Sequence, residues 1–370
     1  MINHTFFVYS YFYLHTIDIG DNVKKIFILI VGILTIFTSK VCAVSTNASS
    51  SILMDMDSHR ILYSNNIHNV RSVASISKIM TAILAIESGK LENEVIINDS
   101  INKAYGSGIY IKVGEKISLK DLVYGLMLRS GNDAALAIAN YVSKDTDAFV
   151  KLMNKKANEI GMKNTEFNNP SGLDEEKGNY STAYDMALLM SYAYKNKIFR
   201  KITGTKKYTL KTNMNTYIWH NKNKLLNNYK YTTGGKTGFT KIAKRTLVTT
   251  ASNKKLNLVV VTLNDGNDWN DHKKLFEYGF NNYKNYKILN KNSFKVSKDK
   301  YYKKYKLYIK NNYSYPIQNV EKENIIIKIV LNKKRKIKNN SKVGKCNIHF
   351  NNKIIHSEPI YITYKKGKRK

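Results

Sequence analysis

Apolar residues at positions 76, 79, 80, 83, 84 and 86 repeat with the period of a helix that buries one face, and Gly89 stands where such a helix would stop. The same period runs from Leu119 to Val142 but breaks at Ser130-Gly131-Asn132, which predicts two helices joined by a turn. Asp147 to Ile160 and Thr182 to Tyr194 read as further amphipathic helices. Strand texture brackets this helical stretch. Ser51–Asp55 and Arg60–Ser64 precede it around a polar turn; Thr246–Ala251 and Leu256–Thr262 follow it as a predicted hairpin. A helix from His272 to Phe280 closes this part. The pattern predicts an α+β fold, with helices packed on an antiparallel sheet.

Beyond residue 285 the helical period is lost. Lys306–Ile309, Asn324–Leu331, Lys345–Phe350 and Ile360–Tyr364 read as strands, with Asn351-Asn352 turning a hairpin, and a small all-β sandwich is predicted. At the amino end, Lys24-Lys25 precede an uncharged run from Ile26 to Phe37 and then Val41-Cys42-Ala43, the arrangement of a secretory leader. The run is short for a membrane span, which needs about 20 residues; a buried core helix is the competing reading. Residues 1–22 are aromatic and lie ahead of the charged region, so a start at the Val23 codon would give a compact leader. The expected division is therefore a leader over 1–43, a catalytic domain over 44–284 and a β-domain with a basic tail over 285–370.

Length and composition agree with this division, since 370 residues suit two domains and 43% hydrophobic content can fill a core. The formal charge of +34 is uneven: residues 281–370 hold 25 Lys+Arg against 4 Asp+Glu. Such a field favours an anionic partner. An exported chain would meet anionic envelope polymers or a membrane surface, not nucleic acid; a merely lysine-rich solvated surface is the alternative. No apolar or amphipathic helix is read at the carboxyl end, which finishes as a basic tail from Lys365 to Lys370. Cleavage near Ala43 would leave Cys346 as the only cysteine and exclude an intrachain disulfide. Ser39-Lys40-Val41 makes Cys42 a poor lipidation site, so simple cleavage is expected. The eight histidines show no metal-ligand spacing, and no metal or other cofactor is expected.

Three polar motifs carry the chemistry: Ser75-Ile76-Ser77-Lys78, Ser130-Gly131-Asn132 and Lys236-Thr237-Gly238. A serine hydroxyl needs a base before it attacks. Ser75 and Lys78, at i and i+3, share a helix face, and a buried Lys78 would be neutral enough to take the proton. Ser130 could relay a proton to a leaving amine, and the Asn132 amide could hold a substrate backbone. Lys236 and Thr237 could bind a carboxylate from a strand edge that pairs with an extended peptide, with Gly238 letting the substrate approach. Each motif is ordinary alone. Ser-x-x-Lys also occurs at Ser100, Ser252 and Ser297, yet only Ser75 opens a long apolar helix and precedes the other two motifs.

With these motifs stand Val73 to Thr81, Met127 to Ala135, Asn169-Pro170-Ser171-Gly172-Leu173, Tyr180 to Ala187, Asn223-Lys224-Leu225-Leu226 and Gly235 to Thr240. On these stretches the chain resembles the low-molecular-mass penicillin-binding proteins, specifically the serine D-alanyl-D-alanine carboxypeptidases, from about residue 45 to 285. The resemblance implies the penicillin-recognising serine transferase fold. It also implies Ser75 as the acylated nucleophile, Lys78 as general base, Ser130 as proton relay and Lys236 as carboxylate ligand, with an oxyanion hole from the N–H groups of Ser75 and Phe239. The implied substrates are peptidoglycan stem peptides, with β-lactams as inhibitors. Two departures are visible: Lys244 stands where a glycine is expected, and the family's amphipathic carboxy-terminal anchor is missing. A serine β-lactamase shares the three motifs and would use a glutamate such as Glu166; a non-catalytic envelope-binding protein on the same fold is the other competing reading.

Overall fold

A computed structural model describes residues 44–174, 177–253, 255–296, 301–333, 336 and 338–364. The predicted leader, Cys42, Ser297 and the basic tail after Tyr364 lie outside these described residues.

The central sheet joins distant parts of the chain. β1 (Ser50–Asp55) and β2 (Ile61–Asn65) come from its beginning, and β3 (Thr232–Thr240), β4 (Lys244–Ser252) and β5 (Asn257–Leu263) from some two hundred residues later. Their order is β2-β1-β5-β4-β3 and every pairing is antiparallel. The predicted hairpin is β4–β5. Lys236-Thr237-Gly238 lies ahead of it within β3, a strand at the sheet edge.

Between β2 and β3 the chain forms α1 (Lys78–Glu87), α2 (Leu119–Arg129), α3 (Asn132–Ser143), α4 (Thr146–Ile160), α5 (Ala183–Tyr194) and α6 (Lys197–Gly204). Ile52, Met54, Val259 and Val261 of the sheet share their core. The alternate residues Leu53, Leu258 and Val260 point the other way and pack with Leu275 and Phe276 of α7 (Asp268–Asn282). A sheet covered on both faces needs apolar residues at successive positions, which explains the nearly unbroken run Leu258–Val261. His272 of α7 is buried between Thr249 Oγ1 at 2.6 Å and Thr262 Oγ1 at 3.0 Å. Burial alone drops its pKa to about 3, so it bridges helix and sheet as a neutral ring.

The expected single buried face of α1 is corrected: every residue from Lys78 to Ile86 is buried. The helix is enclosed by α2, α3, α5 and α6. Each fully buried Ile or Met contributes about 1.5–3 kcal/mol, so the element that carries Lys78 is held from all sides.

After α7 come β6 (Lys284–Leu289), β7 (Tyr305–Ile309), β8 (Tyr313–Ile317), β9 (Ile325–Leu331), β10 (Lys342–Phe350) and β11 (Lys353–Tyr364). They form a four-stranded sheet, β7-β11-β10-β9, and a pair, β6-β8. Leu289 of the pair packs with Ile309, Ile348 and Ile362 of the larger sheet, so two β layers share a small core. Asn351 and Asn352, at φ 48° and 63°, turn the β10–β11 hairpin as expected. Arg60, at the start of the β2 hairpin arm, ties this half to the rest. Its guanidinium pairs with Glu321 at 2.6 Å, donates to the Pro316 carbonyl and lies 4.6–5.3 Å from the ring centroids of Phe350, Tyr315 and Tyr283.

Candidate active site

Ser75 sits in a 3₁₀ turn, Ala74–Ser77, that runs directly into α1. The turn is pinned from outside by the loop around Gly172, whose φ is 82° and whose missing Cβ would run into the Ala74 carbonyl. Asn169 shapes that loop: its Oδ1 accepts from the N–H groups of Ser171 and Gly172 at 3.1 and 2.6 Å.

The fully buried Lys78 amine donates to Ser75 Oγ at 3.0 Å, to Asn132 Oδ1 at 2.6 Å and to the Ser171 carbonyl. Burial pushes its pKa down to about 7; the Lys222 charge adds to the fall and Asp133 opposes it. Ser130 ends α2 at φ 65°, a left-handed conformation that breaks the predicted long helix and turns the hydroxyl inward. There it accepts from Lys236 Nζ at 3.0 Å. Lys236, itself fully buried on β3, also donates to the Thr237 carbonyl at 2.6 Å. Its pKa is held well below the usual lysine range by burial first, then by the charges of Lys78 and Lys222. The three motifs thus converge: one hydroxyl with a poised amine, and a second hydroxyl with a second amine, in one cleft.

The family model described as "D-alanyl-D-alanine carboxypeptidase" matches residues 37–267, and that described as "Penicillin-binding protein 5, C-terminal domain" matches residues 283–368. The chain belongs to the D-alanyl-D-alanine carboxypeptidase family. Among curated relatives of this carboxypeptidase family, D-alanyl-D-alanine carboxypeptidase DacF of Bacillus subtilis is 36% identical over 256 residues, 66% of this chain and 65% of that protein. D-alanyl-D-alanine carboxypeptidase DacB2 of Mycobacterium tuberculosis is 30% identical over 240 residues, 63% of this chain and 82% of that protein. The crystal structure of penicillin binding protein 5 from Haemophilus influenzae superposes with a TM-score of 0.72 at 28% identity, covering 87% of this chain and 98% of that one. The α+β penicillin-binding protein fold with a carboxy-terminal sheet domain is therefore the fold of this chain.

Within this carboxypeptidase-family fold the remaining sequence-predicted residues are placed as follows. The Asn132 carboxamide, assigned to a substrate backbone from sequence, is engaged at both ends: Oδ1 accepts from Lys78, and Nδ2 donates to the Tyr105 carbonyl at 2.6 Å. Gly238 stands against the turn that carries Ser75. The position of a Cβ there is filled by Thr246 Oγ1 and lies 3.0 and 3.1 Å from the amide nitrogens of Ser75 and Ile76, so the glycine lets β3 press against the Ser75 turn. Thr237 and Phe239 follow on the same edge strand, Phe239 with its ring exposed. Gly238→Ala is expected to push the strand and turn apart. A misplacement on the order of 1 Å costs about 10²-fold in rate, which the rate of labelling by a fluorescent penicillin would register; labelling at the wild-type rate would contradict this placement.

Lys244 has φ 58°, the left-handed region in which glycine is unstrained. The backbone conformation that favours the expected glycine is thus kept by a lysine, where the turn after β3 enters β4. Glu166 is exposed and joined to Tyr180 only through backbone pairing, which leaves the lactamase reading without its glutamate. Ser100 is spent on Asn98, and Ser252 ends β4 on the far side of its sequence from the motifs. No group of three potential metal ligands occurs among the described residues.

Three participants are not visible in the motif pattern. The Ser171 carbonyl is a backbone atom and has no side-chain signature; only the cluster Asn168-Asn169-Pro170-Ser171-Gly172 hints at a shaped loop. Asp133 accepts from the N–H groups of Ile109 and Tyr110 and so anchors the loop that meets Asn132. Lys222, exposed and donating to Ser107 Oγ at 3.2 Å, lowers the pKa of both Lys78 and Lys236. In a chain with 61 Lys+Arg, one lysine carries no signal of its own.

Proposed function

We propose that this chain is a serine D-alanyl-D-alanine carboxypeptidase that removes the terminal D-alanine from peptidoglycan stem pentapeptides. The observation that carries the reading is the pair of 3.0 Å contacts, Lys78 Nζ to Ser75 Oγ and Lys236 Nζ to Ser130 Oγ, in a single cleft. In the proposed reaction, Lys78 takes the proton as Ser75 Oγ attacks the penultimate D-alanine carbonyl. The oxyanion forms against the N–H groups of Ser75 and Phe239. Ser130 hands its proton to the leaving amine as the C–N bond breaks and regains one from the Lys78 ammonium, which returns to the neutral amine, while Lys236 with Thr237 holds the terminal carboxylate. Asn132 keeps the Lys78 amine aimed at Ser75 and can trade the Tyr105 carbonyl for the substrate's acyl-side amide. Water activated by Lys78 then hydrolyses the acyl ester. A β-lactam would acylate Ser75 with opening of its ring.

We further assign the chain an exported life. Residues 1–43 act as a cleaved leader, 44–284 as the catalytic domain and 285–370 as a β-domain with a basic tail. Supporting this is the apolar run Ile26–Phe37 after Lys24-Lys25. The enzyme would then trim stems in the cell envelope and contribute to cell shape, its cationic β-domain resting near anionic envelope polymers or the membrane surface. The test is direct: purified protein incubated with a peptide ending in D-Ala-D-Ala should release free D-alanine. A protein that binds penicillin but releases none would overturn the carboxypeptidase assignment.

A further inference from the structure

Beside the nucleophile lies a cavity of about 620 Å³ whose walls include Asn132 and Ser171, both in hydrogen-bond contact with Lys78. The remaining walls are unlike the catalytic cleft. Leu136 and Leu173 give apolar surface, and Lys103 and Lys177 bring two ammonium groups. Among the described residues no Asp or Glu lines the cavity, and neither lysine has an ion-pair partner. Lys236 and Thr237, the ligands for the leaving group's carboxylate, are not part of it.

This arrangement has a direction. A peptide cleaved at Ser75 sends its leaving residue toward Lys236 and Ser130, so the rest must depart across Asn132 and Ser171, into this cavity. The methyl group of an alanine would leave most of that volume unfilled. Resting on the carboxypeptidase reading, we infer that the cavity receives the side chain of the third stem residue, and that Lys103 and Lys177 select one ending in a carboxylate. Its methylenes pack on Leu136 and Leu173 while the terminal charge meets the two lysines. An ammonium-ended side chain of the same length would gain the apolar contact and face repulsion instead.

The test uses three pentapeptides that differ only at the third side chain: one ending in a carboxylate, one in its primary amide, one in an amine. Each exposed ion pair contributes modestly, so the two together are expected to favour the carboxylate over the amide by about tenfold in kcat/KM. The Lys103→Gln, Lys177→Gln double variant should lose that preference while its rates with the amide peptide and with penicillin stay as in the wild type. That last result also shows the variant to be folded. A wild type that discriminates less than twofold, or a double variant that keeps its preference, overturns the inference while leaving the carboxypeptidase reading intact. Failure of every peptide to release D-alanine overturns both.

Discussion

Ser75→Ala is expected to abolish D-alanine release and covalent labelling by penicillin, with a rate loss of at least about 10⁴-fold, the scale seen when a serine hydrolase loses its nucleophile. The loss should be chemical and not structural. Ser75 Oγ makes one 3.0 Å contact with Lys78 and a longer one, 3.4 Å, with the Ser171 carbonyl. Without it, Lys78 keeps Asn132 and the Ser171 carbonyl, and the enclosing core of α1 is untouched. A thermal melt within a few degrees of wild type, beside absent labelling, is the expected combination. Residual labelling above one part in a hundred would move the acyl linkage to another residue and sink the assignment of Ser75.

Lys78 gives the second large effect. Its pKa of about 7 means that the amine is mostly neutral above neutrality and mostly charged below. The sign follows directly: a base that must be neutral to act loses activity as pH falls through its pKa, so acylation should rise with pH up to about 7 and then level off. Because Lys236 lies close enough to affect the same proton, the acid limb belongs to the pair. Lys78→Met keeps the length and apolar stem but removes the amine, and is expected to cost about 10²–10⁴-fold, the range of general-base catalysis. Single-turnover acylation measured from pH 5 to 9 checks both. A flat profile in the wild type, or an unchanged rate in the variant, would remove Lys78 from the proton-transfer step.

Much of this site is legible in the sequence because its parts are punctuation as well as chemistry. Ser130-Gly131-Asn132 interrupts a helical period and so announces itself, and the structure puts α2 and α3 on either side of it. Elements whose conformation rests on pairing or burial are less visible. β3 reads Thr-Thr-Gly-Gly-Lys-Thr-Gly-Phe-Thr, with little apolar alternation, and it is extended because β4 pairs with it from Lys244 to Ala251. The hairpin Lys207–Lys211 with Thr216–His220 hides because an apolar Ile218 stands among its outward positions and tyrosines Tyr208 and Tyr217 among its inward ones, which blurs the alternation. α7 begins at Asp268, four residues before the predicted start, because polar Asp268 and Asp271 are buried in its first turn and break the apolar period. β3 turns directly into β4, and Lys207–Lys211 into Thr216–His220, so in these hairpins it is cross-strand pairing, and not the side-chain pattern of either strand alone, that decides the conformation.

The strand order of the central sheet has a temporal consequence. β1 lies between β2, a few residues away, and β5, which begins only at Asn257. A chain emerging from its amino end can fold back β1 on β2, yet that two-stranded ribbon is marginal in water. It must wait for residues up to 263 before its second edge is closed, and closing so long a loop is slow. Lys236 arrives with the same late segment, so the amine opposite Ser130 and the strand behind Ser75 are added together. A half-made chain therefore carries Ser75 and Lys78 without Lys236 opposite Ser130, and the three motifs come together only with completion of the sheet.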